Sequence, residues 1–148
     1  SARVYAPWDF SVGVAWFPTP ELLFSYQADY TTEDSEYPDW YPYRPSAAFN
    51  TSLGVEWYLL PQLPIRLGAF TNRSNSPVLQ DGQMGQPEHV DLLGISGGLS
   101  WVGAGSSLSL SVSQASGTGK GQVIGGVTTM QDADRGEFTV YLGGSYAL

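Results

Sequence analysis

Residues 53–70, LGVEWYLLPQLPIRLGAF, are two alternating runs around a Pro-Gln-Leu-Pro turn, and this period of two is what most constrains the fold. One parity carries Leu53, Val55 and Trp57 on the way in, then Ile65, Leu67 and Ala69 on the way out. The other carries Gly54, Glu56, Tyr58, Arg66 and Gly68. Successive side chains of a strand point to opposite faces, so the hairpin has one unbroken apolar face and one face of glycine and opposite charges. Centring the turn on Pro61 sets Glu56 opposite Arg66, Val55 opposite Leu67 and Trp57 opposite Ile65.

The same period recurs along most of the chain, and no stretch of comparable length has the 3.6 period of an amphipathic helix. The alternation predicts seven strands. The first, WDFSVGVAWF, sets Phe10, Val12, Val14 and Trp16 against Asp9, Ser11, Gly13 and Ala15, and ends at the prolines of residues 18–20. The second, ELLFSYQADYT, sets Leu22, Phe24, Tyr26, Ala28 and Tyr30 against Leu23, Ser25, Gln27, Asp29 and Thr31. The hairpin supplies the third and fourth. The fifth covers residues 92–101, the sixth is SLSLSVSQ with serine at every second place, and the seventh is EFTVYLGGSYAL, with Tyr141 on its small-residue parity.

The residues opposite the apolar stripe are mostly Gly, Ser and Ala, drawing on 18 glycines, where a soluble surface would carry many Lys, Glu and Asp. That face reads as enclosed. The connections alternate as well: short turns (FPTPE, LLPQLP, VGAGSS) join strands one to two, three to four and five to six, whereas long polar loops follow strands two, four and six. Tight turns at one end and long loops at the other are the layout of an outer-membrane β-barrel, with periplasmic turns and extracellular loops. Trp16, Trp57, Trp101 and Tyr146 lie on the apolar parity near the short-turn end, where they would form a membrane-interface girdle. A soluble sandwich alternates too. The turn asymmetry, the girdle and the lack of charge on the apolar parity at the strand centres together favour an all-β, antiparallel transmembrane barrel facing membrane lipid. Glu56 and Arg66 are then an ion pair of the lumen, and Leu23, Tyr58, Phe70 and Tyr141 line that lumen as ligand-facing residues.

Other classes find little support. Cysteine is absent, which removes disulfides, thiolate chemistry and Cys-based metal sites, and a net charge of −8 with six scattered basic residues argues against nucleic acid. No apolar run approaches the roughly 18 residues of a spanning helix, and SARVYAPWDF has no signal-peptide pattern. The loop TTEDSEYPDWYPYRP gathers Glu33, Asp34, Glu36 and Asp39 with Tyr37, Trp40, Tyr41 and Tyr43. It lacks the Asp-x-Asp-x-Asp-Gly spacing of a calcium loop and reads as an extracellular loop of packed aromatics and hydrated carboxylates. QDADRGE, with Asp132, Asp134, Arg135 and Glu137, reads as a second solvated loop. His89 is the sole histidine and has no nucleophile-elbow serine or second histidine to work with, and GTGKGQ and GISGG are not phosphate loops. No catalytic residue, metal site or cofactor is expected.

The order PWDFSVGVAWFPTPELLFSYQADYT, then LGVEWYLLPQLPIRLGAFTNRSNSP, then VDLLGISGGLSW and a terminal strand resembles the C-terminal half of the FadL family of hydrophobic-compound transporters. The most specific part is the Gly-x-Glu-(aromatic) hairpin followed by Leu-Pro-Ile-Arg-x-Gly and Ser-Asn-Ser-Pro. Leu148 departs from the terminal Phe common in such barrels. The resemblance implies a barrel of about 14 strands, of which residues 1–148 would supply the last seven, and uptake of long-chain fatty acids or aromatic hydrocarbons across the bacterial outer membrane. The partners it implies are hydrophobic small molecules and the N-terminal half of the barrel with its hatch. FadL-like barrels also serve as scaffolds or anchors in envelope assemblies such as the type 9 secretion system, so other envelope proteins are alternative partners. The odd strand count points the same way, because single-chain bacterial barrels have even counts. An eighth strand in KGQVIGGVTTMQ would restore an even count, but that segment is Gly-rich and weakly alternating.

Overall fold

The computed structural model describes residues 7–33, 44–122 and 128–146. They form one antiparallel sheet, with no helix among the described residues. In chain order the strands are β1 (Asp9–Thr19), β2 (Leu22–Thr31), β3 (Ala48–Leu60), β4 (Leu63–Asn72), β5 (His89–Val90), β6 (Leu92–Gly103), β7 (Ser106–Gly121) and β8 (Gln131–Tyr146). The sheet runs β1-β2-β3-β4-β6-β7, with β8 beyond β7, and β1 and β8 are not paired with each other.

Seven long strands follow the alternation, each pairing with its neighbour in sequence once β5 is set aside. The two-residue β5 continues the line of β6 past Asp91 in the same register: Leu93 lies opposite Ser116 on β7, and Val90 opposite Gly119. Two-residue turns at Pro20-Glu21, Pro61-Gln62 and Ala104-Gly105 close the short end, and Gly105 takes a φ of 95° that a side chain would strain.

Several boundaries differ from the sequence expectation. β1 continues through Pro18 to Thr19 with a register shift after Trp16, and that irregularity in an edge strand is where a proline, which has no N–H to give the ladder, is tolerated. β3 begins at Ala48, five residues before the alternating hairpin, because Ala48–Ser52 pair with the upper half of β2. QDADRGE is not a loop. It is the first half of β8, paired residue for residue with the SGTGKG end of β7, with Ala133 opposite Gly119 and Arg135 opposite Gly117. His89 belongs to a strand as well, and its Nδ1 lies 2.6 Å from the Ser76 carbonyl oxygen. Of KGQVIGGVTTMQ, the first two residues end β7, Gln131 begins β8, and residues 123–127 lie outside the described residues. Most of the aromatic acidic loop, including Trp40, also lies outside them.

Exposure is the reverse of a soluble sheet. The apolar parity is open, with Leu67, Ile95 and Trp101 at 64%, 65% and 67%. On the inner strands the Ser/Gly parity is the more covered one, whereas the edge strand β1 is exposed on both faces: on β7 the apolar positions are exposed while Ser107, Ser109, Ser111 and Ser113 are half-buried and Ala115 is buried. A small core sits on this same parity at the loop end, where Val90, Leu92, Ala115 and Ala133 cluster and Phe70 packs against them.

Candidate functional site

The Ser/Gly face is assembled in rows that cross the sheet. One row joins Ala15, Ser25, Gly54, Gly68, Ser96, Ser113 and Thr139, small or hydroxylated from edge to edge. Its glycines leave room for the neighbouring hydroxyls: a Cβ on Gly54 would lie 2.5 Å from the Ser25 Oγ, and one on Gly68 2.6 Å from the Ser96 Oγ, so each serine would have to turn away. The next row toward the turns joins Leu23, Glu56, Arg66, Gly98, Ser111 and Tyr141. Four of the residues singled out from sequence therefore share one line across the face, although they come from four different strands.

Glu56 and Arg66 are direct cross-strand partners, and the Arg66 Nε donates to the Glu56 Oε2. The pair belongs to a longer chain of hydrogen bonds that sequence reasoning missed. Tyr58 lies two residues along β3 from Glu56, on the same face. From the pair, the Arg66 Nη1 donates to the Ser100 Oγ at 2.7 Å, and Ser100 in turn lies 2.7 Å from the Ser109 Oγ. Ser100 is 2% exposed, so this anchor is dry, whereas the guanidinium is 46% exposed and the Glu56 side chain 16%. A pair this open to solvent contributes about 0.2–1 kcal/mol. It holds the Arg66 fork in one orientation above the small-residue floor more than it stabilises the sheet. A depression of about 330 Å³ opens here, bordered by Leu23, Ser25, Glu56, Arg66, Ser96 and Ser111.

The other aromatic of the expected lining behaves differently. Phe70 lies opposite Gly94 with its ring over that residue, where a Cβ would come within 2.2 Å of the ring. Its contacts are with the loop-end core, so part of its surface is used in packing. The one signal for that core was the Leu-Leu pair of VDLLG: two adjacent leucines cannot both lie on the apolar parity, and Leu92 is the one that turns to the Ser/Gly face. Above the core the 73–88 connection is tied down by Gln86, which is buried: its Nε2 donates to the Gln80 and Gln83 carbonyls, and its backbone N–H donates to the Gln122 Oε1.

Trp16, Trp57, Trp101 and Tyr146 all lie exposed on the opposite, apolar face, and the Trp16 ring stacks on Phe24 at 5.9 Å. Among the described residues no three His, Asp or Glu side chains converge as a metal site requires. Comparison of the chain with protein-family models, with curated proteins and with solved structures gives no match.

Proposed function

We propose that this chain is part of the wall of a transmembrane β-barrel in the bacterial outer membrane, of the FadL-like kind, which takes up hydrophobic molecules such as long-chain fatty acids or aromatic hydrocarbons. The carrying observation is the inverted exposure of the two faces. Leaving this many Leu, Val, Ile and Trp side chains open while serine and alanine are covered is unfavourable in water, at roughly 25 cal/mol per Å² of apolar area. The cost vanishes where the solvent is lipid. The sheet is open at β1 and β8, and both edge strands run from the loop end to the turn end. Antiparallel closure then calls for an odd number of further strands, in line with the expected missing half.

On this reading the Ser/Gly face lines the lumen. The row from Ala15 to Thr139 leaves width, Leu23 and Tyr141 offer apolar and amphipathic contact, and the Glu56–Arg66–Ser100–Ser109 chain keeps the charges satisfied without an exposed excess of either sign. The test is to express the protein in a Gram-negative host, fractionate the envelope, and follow uptake of a fluorescent long-chain fatty acid and of an aromatic hydrocarbon by intact cells. Recovery in the outer membrane with uptake above that of the empty host supports the proposal. Recovery there without uptake of either class favours a scaffold within the envelope, and recovery in a soluble fraction overturns the membrane assignment.

A further inference from the structure

The four girdle aromatics do not share a row of the sheet, and their offsets are regular. The row through Trp16 continues as Phe24, Val55, Leu67, Gly97, Val112 and Val140. Trp57 on β3 lies two residues beyond this row toward the turns, Trp101 on β6 lies four beyond, and Tyr146 on β8 lies six beyond. These strands are the first, third, fifth and seventh across the sheet. A straight line that drops one residue per strand therefore passes through all four.

We infer that this line is the turn-end interface of the lipid bilayer, and that the strands cross the bilayer tilted by about 35° from its normal, the angle set by a drop of one residue (about 3.4 Å) per strand spacing (about 4.8 Å). The inference rests on the membrane reading proposed above and adds the orientation. One residue of stagger per strand is the ratio of an eight-stranded barrel of shear eight, whose strands tilt by about 36°, and transmembrane barrels tilt by about 35–45°.

Two other features become more level under the same correction, although neither was used to draw the line. The first is the turn ends. Measured from the row, the strands end three residues below it at Thr19, five at Leu60 and six at Gly103. After correction these ends lie within about one residue of one another. The second is the polar limit of the apolar face. Thr51, Thr71 and Gln114, where that face first turns polar on β3, β4 and β7, lie four, four and two residues above the row, and the correction brings them within about one residue of one height; on β6 the face stays apolar through Leu93 and turns polar at Asp91, about three residues higher. The loop ends do not discriminate: those of β1, β2, β3, β4 and β6 lie five to seven residues above the row and seven to nine above the line, the same spread either way, while β7 and β8 reach nine residues above the row and overshoot the others under the correction. The turn-end line and the polar limit are then separated by about seven residues of strand, or roughly 20 Å along the membrane normal, close to the apolar band of about 25 Å that such barrels carry. The overshooting hairpin, with Lys120, Asp132 and Asp134, projects beyond the far interface by about the same distance again.

Depth measurements test this. Variants that keep a single tryptophan at 16, 57 or 101, with phenylalanine at the other tryptophan positions, are folded into phospholipid vesicles, and each is quenched by lipids brominated at a series of acyl positions. The expected result is one common depth for all three. Without the tilt, Trp16 and Trp101 differ by four residues, about 14 Å. Such a spread overturns the tilt and leaves the membrane reading standing, whereas no quenching at any site overturns both. If the multiple tryptophan replacements impair folding, the cysteine-free chain allows the converse measurement by single nitroxide-labelled cysteines at Val14, Leu53, Ile95 and Phe138. These residues share one row, so a tilted sheet spreads their depths progressively over roughly 17 Å. Equal depths at all four positions overturn the tilt.

Discussion

Leu92 and Leu93 are neighbours on β6 and chemically identical, yet one is 5% exposed and the other 65%. Leu92 turns to the Ser/Gly face and joins Val90, Ala115 and Ala133 in the small core at the loop end. Leu93 turns to the apolar face, where Ile95, Leu99 and Trp101 follow it along the strand in the open. Hydrophobicity alone does not decide burial in this molecule. The face decides, and the face that a water-soluble sheet would bury is the one left open. On the function proposed above, the apolar face is the one that meets an external apolar solvent, and the Ser/Gly face is the one whose shape is controlled residue by residue.

The contrast between the faces is open to direct attack, and the largest effect is expected from charge. Arginine at Val55, near the middle of the apolar face, is expected to destabilise the protein folded in a bilayer by about 2–4 kcal/mol. Arginine at Ser25, exposed on the other face, is expected to cost much less because water is at hand. Denaturant unfolding from vesicles measures both, and equal costs would remove the distinction between the faces.

Volume gives the next contrast, within one strand. A valine at Gly94 must displace the Phe70 ring, which would otherwise lie 2.2 Å from its Cβ, and through it the loop-end core; a cost of about 1–3 kcal/mol is expected. At Gly97, three residues along on the apolar face, the nearest atoms are the Leu67 Cδ2 at 3.7 Å and a backbone oxygen at 4.0 Å. Valine there is expected to be neutral or slightly stabilising, since β-branched residues suit strands. The same unfolding assay compares them, and a Gly97→Val variant as unstable as Gly94→Val would show that the apolar face is as tightly specified as the other.

A smaller effect is expected from the ion pair. A double-mutant cycle with Glu56→Gln and Arg66→Gln should give a favourable coupling of about 0.2–1 kcal/mol, limited by the exposure of the guanidinium. A coupling of zero would mean that water screens the pair fully. The smallest effect lies in the projecting end of β7 and β8. There Lys120 hydrogen-bonds to Asp132 and holds its carboxyl below the ordinary value of 3.8. A carboxyl depressed in the folded state stabilises above its ordinary range, and that contribution is lost as pH falls through the depressed value. Stability should therefore be flat with respect to this pair from neutrality to about pH 4 and decline below that. Lys120→Met should remove this small contribution at neutral pH, flatten the corresponding part of the acid dependence and leave stability in acid nearly unchanged.

Much of this was legible in the chain. Alternation located all seven long strands and both faces, and centring the hairpin on Pro61 set Glu56 opposite Arg66; the structure reaches that register by a two-residue turn, with Leu60 opposite Leu63, and a register shift between Tyr58 and Leu60. The misreading of QDADRGE as a loop has a plain cause: its charges and glycine mask the alternation, and strand formation there depends on pairing with SGTGKG, itself a poor strand sequence. The Arg66–Ser100–Ser109 chain was hidden for a related reason, since it needs the register of β4 against β6, two strands separated by a long connection.

The sequence by itself determined which residues alternate, which parity is apolar and how the turn-linked hairpins align, because these depend on the local geometry of an extended chain and its turns. Only the tertiary structure decided how those hairpins align with one another across the long loops. That alignment set Leu23, Glu56, Arg66 and Tyr141 in one row, seated Phe70 over Gly94, and staggered the four aromatics by one residue per strand. A long loop imposes no register on the strands it joins, so the choice falls to side-chain packing summed over the whole sheet.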